Sequence, residues 1–173
     1  AVSRQALPMS ALGEEMRNPC ICPGSTHPDL EGRRTHVFRT PYSDVFQARA
    51  LARLCRDGGA ETAAVFFNRT DVYASNLADA FARAFRGLGG RVLAEESYAP
   101  PAGNLGEAML SVVRAKPDVL FLPCYYADVS AQAGAARDAG FSGEIVGSDS
   151  WDLLSGDQPR GLLGARFLGC WHP

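Results

Sequence analysis

The sequence predicts an α/β protein, with a mostly parallel sheet carrying helices on both faces. Short apolar runs that read as strands alternate with helical segments of roughly ten to fifteen residues, the pattern of βαβ units. TAAVFF (Thr62–Phe67) is continuously apolar, as a parallel strand buried on both faces must be. Glycines close the helical segments at Gly58-Gly59, Gly89-Gly90 and Gly140.

The elements follow in order. Ser3 to Met16 carries Leu7, Ala11 and Leu12 at helical spacing, with Glu14 and Glu15 outward. A short strand at Cys20–Cys22 runs into the loop CPGSTHPDL, and HVFRT (His36–Thr40) is the next extended piece. Ser43 and Asp44 offer an N-cap for a helix through Arg56, with Val45, Leu51, Leu54 and Cys55 on one side. After Thr62–Phe67, Leu77, Phe81, Phe85 and Leu88 mark a helix, and Arg91–Ala99 is a strand that ends in a Pro/Gly turn. Leu105 to Ala115 is helical, and Pro117 introduces the strand Asp118–Cys124. Asp128 to Ala139 is Ala-rich and helical, and Glu144–Asp149 and Gly164–Trp171 are the last two extended runs. No repeat or low-complexity tract interrupts the series.

A chain of 173 residues is long enough for one domain with a substantial core. The net charge of −2 gives no electrostatic reason to bind nucleic acid or an anionic membrane, and no apolar run is long enough to span a bilayer. The opening AVSRQALPMS shows neither an initiator Met nor a signal-peptide pattern, so the chain reads as a fragment entered partway through an element. Five cysteines leave at least one unpaired, and the scattered His27, His36 and His172 supply no second ligand pair for a metal. The thiols are expected to be small buried hydrophobes.

In open parallel sheets, ligands bind beyond the carboxyl ends of the strands. The polar residues placed there are Ser25 and Thr26 after the first strand, Tyr73 in the loop after Thr62–Phe67, Tyr125 and Tyr126 after Asp118–Cys124, and Asp149 after the strand at Glu144. These are hydroxyls and one carboxylate, a set suited to holding a small polar molecule. Each also has a structural reading: Ser25 and Thr26 as turn residues, Tyr73 at a core edge, one of the paired tyrosines as packing, Asp149 as a helix cap. Their shared position at strand ends favours a site.

Signatures of catalysis are poor. GLGGRV (Gly87–Val92) ends a helix and precedes a strand, whereas a dinucleotide loop must follow a strand and open a helix. No phosphate loop, nucleophile elbow or nucleophile–base pair is visible. Asn68-Arg69-Thr70 fits the glycosylation acceptor pattern but reads as a loop.

The order PGSTHPDL, HVFRTPYSD, KPDVLFLPCYYAD and AGFSGEIVGSDSWD resembles the type-1 periplasmic binding proteins for leucine, isoleucine and valine, over nearly the whole chain. That resemblance implies Rossmann-like lobes that close over a ligand, no enzyme activity and no cofactor. Residues 1–40 would be part of a first lobe ending in the crossing Phe38–Thr40, residues 41–171 the second lobe, and residues 172–173 the start of the next crossing. The implied function is solute binding for an ABC importer: a small amino acid or related carboxylate as ligand, the transporter's membrane subunits as partners, no nucleic acid, and a periplasmic location. The ligand-sensing part of a regulator or receptor is the alternative on the same fold.

Residue by residue, the resemblance places a ligand carboxylate on the Ser3 hydroxyl and on Gly24, Ser25 and Thr26. Tyr73 and Tyr125 would close over the ligand, and Asp149 would take its ammonium group. Leucine binders carry the longer Glu at that last position, so strict branched-chain specificity is not implied. The chain alone is expected to present a half-open, solvent-filled site and an apolar surface that invites self-association.

Overall fold

A computed structural model describes residues 3–32, 34–100, 105–153 and 160–169. Its main sheet is wholly parallel and has five strands in the order β4-β3-β5-β6-β7. These are β3 (Thr62–Asn68), β4 (Arg91–Tyr98), β5 (Val119–Leu122), β6 (Glu144–Gly147) and β7 (Arg166–Phe167). The strand order doubles back once, so the chain leaves β3 in one direction to β4 and then returns across β3 to reach β5. The C-terminal ends of β3 and β5 therefore flank the point where crossovers run apart, which is where such sheets open a crevice.

Burial explains why β3 and β5 lack a polar face. Ala63, Ala64, Val65 and Phe66 of β3 and Leu120, Phe121 and Leu122 of β5 are completely buried. On one side they meet α2 (Asp44–Asp57) and α3 (Val72–Gly87), through Leu51, Cys55, Leu77, Phe81 and Phe85. On the other they meet α4 (Leu105–Arg114) and α5 (Tyr126–Asp138), through Met109, Val112, Val129 and Ala133. β4 is an edge strand whose exposure alternates, as one-sided packing requires. At the opposite end of the sheet from the crevice, the Asp118 carboxylate accepts the N–H groups of Glu61 and Thr62 and the Thr62 hydroxyl, tying β5 to β3.

The first forty residues form a smaller unit. β1 (Cys20–Cys22) pairs in parallel with β2 (Val37–Arg39), and α1 (Ser3–Glu15) lies against both. Its inner face is not the Leu7-Ala11-Leu12 stripe expected from periodicity. Ser3, Ala6 and Ser10 are buried, Leu7 is half-buried, and Met9, Leu12 and Met16 face outward. Glu14 is outward only in part. Its carboxylate accepts the N–H groups of Thr35 and His36 and the Thr35 hydroxyl, which hold the group down at about 2.

Other boundaries moved for local reasons. Tyr73 belongs to the first turn of α3 and not to a loop, because Asp71 caps that helix by accepting the Ala74 N–H at 2.9 Å. Glu144–Asp149 extends only to Gly147, after which Asp149–Leu153 turns as a 3-10 helix. The run expected over Gly164–Trp171 is a strand only at Arg166–Phe167, and residues 170–173 lie outside the described ones. Of the cysteines, Cys22, Cys55 and Cys124 are buried free thiols and Cys20 is half-buried and free, while Cys170 is among the residues not described. Burial raises Cys55 to about 12, so it is an inert packing group.

Candidate functional site

The ends of β3, β5 and β6 and the first turns of α2 and α3 bring several of the expected residues together. Tyr73, from α3, and Tyr125, the residue that caps α5, stack with ring centroids 5.1 Å apart and planes inclined by 24°. They sit on either side of the reversal in strand order. The Tyr73 hydroxyl donates to Asp149 Oδ1 in a short hydrogen bond, and Gln47 Nε2 donates to the same oxygen at 2.9 Å. Burial, and then the Asp149 charge, push the Tyr73 hydroxyl well above its ordinary range, so it stays a neutral donor.

Two of these neighbours were missed in the sequence. Asp44 and Gln47 open α2 on its inner face, and both are fully buried. The apolar pattern places Val45 and Leu54 on that face instead, yet Leu54 is 37% exposed. The Ser43 cap gives a partial signal: it accepts the Phe46 N–H at 3.3 Å and so fixes where the helix begins. Nothing in the spacing says that the next residues face inward, since a periodicity search scores buried polar residues as outward.

Asp44 joins the two parts of the chain. Its N–H donates to the Thr26 carbonyl at 2.8 Å, and its Oδ2 accepts Asn76 Nδ2 from α3 at 2.9 Å. Arg39 of β2 donates to the carbonyl oxygens of Thr26 and His27, each at 3.2 Å, and pairs with Glu31. Burial, with nearby Asp149, pushes the Asp44 carboxyl up to about 6, while the Thr26 hydroxyl, Asn76 and Arg39 oppose the shift.

Serines complete the other side. Ser25 donates its hydroxyl to the Ser3 hydroxyl at 3.0 Å, at the start of α1. Ser3, Ser25, Thr26 and Tyr73 are 2%, 0%, 1% and 3% exposed, so these four do not line the half-open, solvent-filled site expected from the sequence. The loop after β1 is bonded to the first turn of α2 through the Thr26 carbonyl. Tyr125 and Asp149 are half-buried, and Gly24 is exposed. The Thr26–Asp44 bond meets α2 at its first turn, and Gln47 from the same turn donates to Asp149, which also accepts the Tyr73 hydroxyl. Among the described residues, no cluster of three or more His, Cys, Asp or Glu is arranged to hold a metal ion.

Comparison with known proteins agrees with this architecture. The periplasmic binding protein family pattern matches residues 1–168. The chain belongs to the periplasmic binding protein family. Its fold superposes on the leucine binding protein LivK of Thermotoga maritima with a TM-score of 0.80 at 27% identity, over 86% of this chain and 42% of that one. An ABC transporter substrate-binding protein of Desulfitobacterium hafniense, in complex with Leu, gives 0.75 at 24% identity, over 87% and 45%. The branched-chain amino acid transporter substrate-binding protein LivJ of Streptococcus pneumoniae, in complex with isoleucine, gives 0.72 at 23% identity, over 87% and 43%. This family member therefore spans less than half the length of these solved relatives. No curated protein matches its sequence.

Proposed function

We propose that the protein is the solute-binding component of an ABC importer and takes a small amino acid or related carboxylate between two lobes. In this reading residues 1–40 are part of the first lobe, residues 41–171 the second, and residues 172–173 begin a crossing. The membrane subunits of the transporter are the partners and the periplasm is the location. The protein holds its ligand and does not transform it.

One observation carries the proposal. The Ser3–Ser25 hydroxyl pair and Thr26, whose carbonyl accepts the Asp44 N–H, stand in the first segment, while Asp149, Tyr73 and Tyr125, tied to the same turn of α2 through Gln47, stand in the second. A zwitterion needs both halves: donors for its carboxylate and an acceptor for its ammonium. Neither segment alone neutralises both charges, so the ligand favours the closed arrangement through contacts available only there. The leucine and isoleucine complexes of the solved relatives support an amino acid as the ligand class.

The burial of Ser25 and Thr26 sets the mechanism of entry. Ser25 and Thr26 are buried, so in this reading a solute reaches their hydroxyls only when the two segments part at this seam. Among the described residues no helix is long and apolar enough to cross a membrane. A thermal-shift screen of amino acids and small carboxylates, followed by calorimetry on the hits, tests the proposal. Stabilisation by at least one α-amino acid is expected, and turnover of any hit, or no hit, counts against it.

A further inference from the structure

Cys20 and Cys22 stand two apart on β1, which puts both thiols on one face of the strand, and their sulfurs lie 4.0 Å apart in an S–H···S contact. That face turns toward α1. A Cβ added to Gly13 would come within 3.1 Å of the Cys20 Cβ, and Ala6, Leu7 and Val37 pack around the pair. Cys22 is 3% exposed, whereas Cys20 is half-buried at the start of the strand, just after exposed Asn18 and Pro19. A small ion can therefore meet Cys20 from solvent, with the second sulfur one contact further in.

The spacing does not suit a disulfide. β1 is held extended by its register with β2, Cys20 against Val37 and Cys22 against Arg39. Alternate residues of such a strand are about 6.6–6.8 Å apart at Cα, the upper limit for a disulfide, and the sulfurs would have to close to about 2.05 Å. An ion between them asks for less. Two metal–sulfur bonds of about 2.3 Å place the sulfurs about 3.8 Å apart at a tetrahedral angle and about 4.6 Å apart when opposed. The observed 4.0 Å lies inside that range, so the strand need not shorten.

We infer that Cys20 and Cys22 form a two-thiolate site for a soft monovalent cation of the Cu(I) class. Thiolates select such ions, and two of them satisfy Cu(I). Structural zinc and iron–sulfur clusters ask for four ligands, and among the described residues no third His, Cys, Asp or Glu completes a set. Burial, and then the contact with Cys20, raise the Cys22 thiol above its ordinary range, so it keeps its proton until an ion displaces it. Loading releases one proton from each thiol and leaves a complex of net charge −1. The Arg34 guanidinium, which donates to the Ser10 hydroxyl, acts on Cys22 through its charge and offsets that anion.

Anaerobic titration of the reduced 173-residue chain with Cu(I), supplied as its bicinchoninate complex, tests the site. One ion per chain should transfer to the protein. Iodoacetamide labelling and trypsin then locate it, because the peptide of residues 18–33 carries Cys20 and Cys22 and no other cysteine. Cys20 should be labelled in the metal-free protein and protected in the loaded one. Cys20→Ser, with its fold checked by circular dichroism, should weaken binding by more than the roughly 10–100-fold that loss of an outer-shell partner costs. Cys170→Ser should change neither result. No transfer of the ion, transfer without protection of that peptide, or unweakened binding by folded Cys20→Ser overturns the site. If that variant does not fold, protection in the native chain decides alone.

Discussion

The Thr26 carbonyl accepts the Asp44 N–H at 2.8 Å, and this bond ties the loop after β1 to the first turn of α2. Thr26 is polar and 1% exposed, Asp44 is charged and fully buried, and they meet at the junction of the two segments. Burying such polar groups is costly unless each is paired, so this seam carries a cost that an apolar contact would not.

Asp44 should make that cost visible. Its carboxyl sits at about 6 in the folded protein, above the ordinary 3.8 it regains on unfolding. The folded state therefore holds the proton more tightly, so this group weakens the fold most above pH 6 and least as pH falls toward 4. The shift corresponds to roughly 3 kcal/mol if fully expressed. Asp44→Asn should raise the melting temperature at pH 7.5 and flatten its dependence between pH 4 and 6. Melts across that range check it, and a lower melting temperature at pH 7.5 would contradict it.

Ligand binding should carry the opposite sign. The proposed function puts an ammonium on Asp149, whose charge acts on Asp44; the ammonium's positive charge favours the Asp44 carboxylate, so affinity for an amino acid should fall as pH drops through about 6. Calorimetry at pH 7.5 and pH 5 reads this directly, and proton release on binding near pH 6 is the accompanying sign.

Gly147 ends β6 where a Cβ would land on the Trp151 indole, and Trp151 is almost completely buried two residues beyond Asp149. Gly147→Ala should destabilise by about 1–3 kcal/mol, the usual cost of overpacking. Because the turn that carries Asp149 must shift with the indole, affinity should fall as well. Denaturant unfolding and calorimetry on the same variant test both.

The small unit leaves apolar surface uncovered. Ile21 and Phe38 are register partners in the β1–β2 pair, 68% and 56% exposed, and Met9 and Leu12 on α1 and Met16 just after it are exposed. Patches of this kind drive association. The 173-residue chain should self-associate in a concentration series by sedimentation velocity, and Leu12→Lys with Ile21→Lys should reduce it.

The sequence was most informative where burial is two-sided. Thr62–Phe67 and Asp118–Cys124 could only be central strands, and the observed β3 and β5 fall there. It misled on α1, where small and polar Ser3, Ala6 and Ser10 face inward while Leu12 and Met16 face out. The same reversal hid Asp44 and Gln47 on α2, because hydrophobic periodicity marks an inner face by its apolar residues and here polar ones face inward. Tyr73, Tyr125 and Asp149 stand near strand ends in the sequence, and the topology brings the three side chains together, whatever their role.

The central claim is that Asp149 receives the ammonium of an amino acid held by Ser3, Ser25 and Thr26. Calorimetry of the best-binding amino acid with the native protein and with Asp149→Ala tests it most directly. Loss of a charge-assisted contact predicts affinity weaker by about tenfold or more. Unchanged affinity in a folded variant would contradict it.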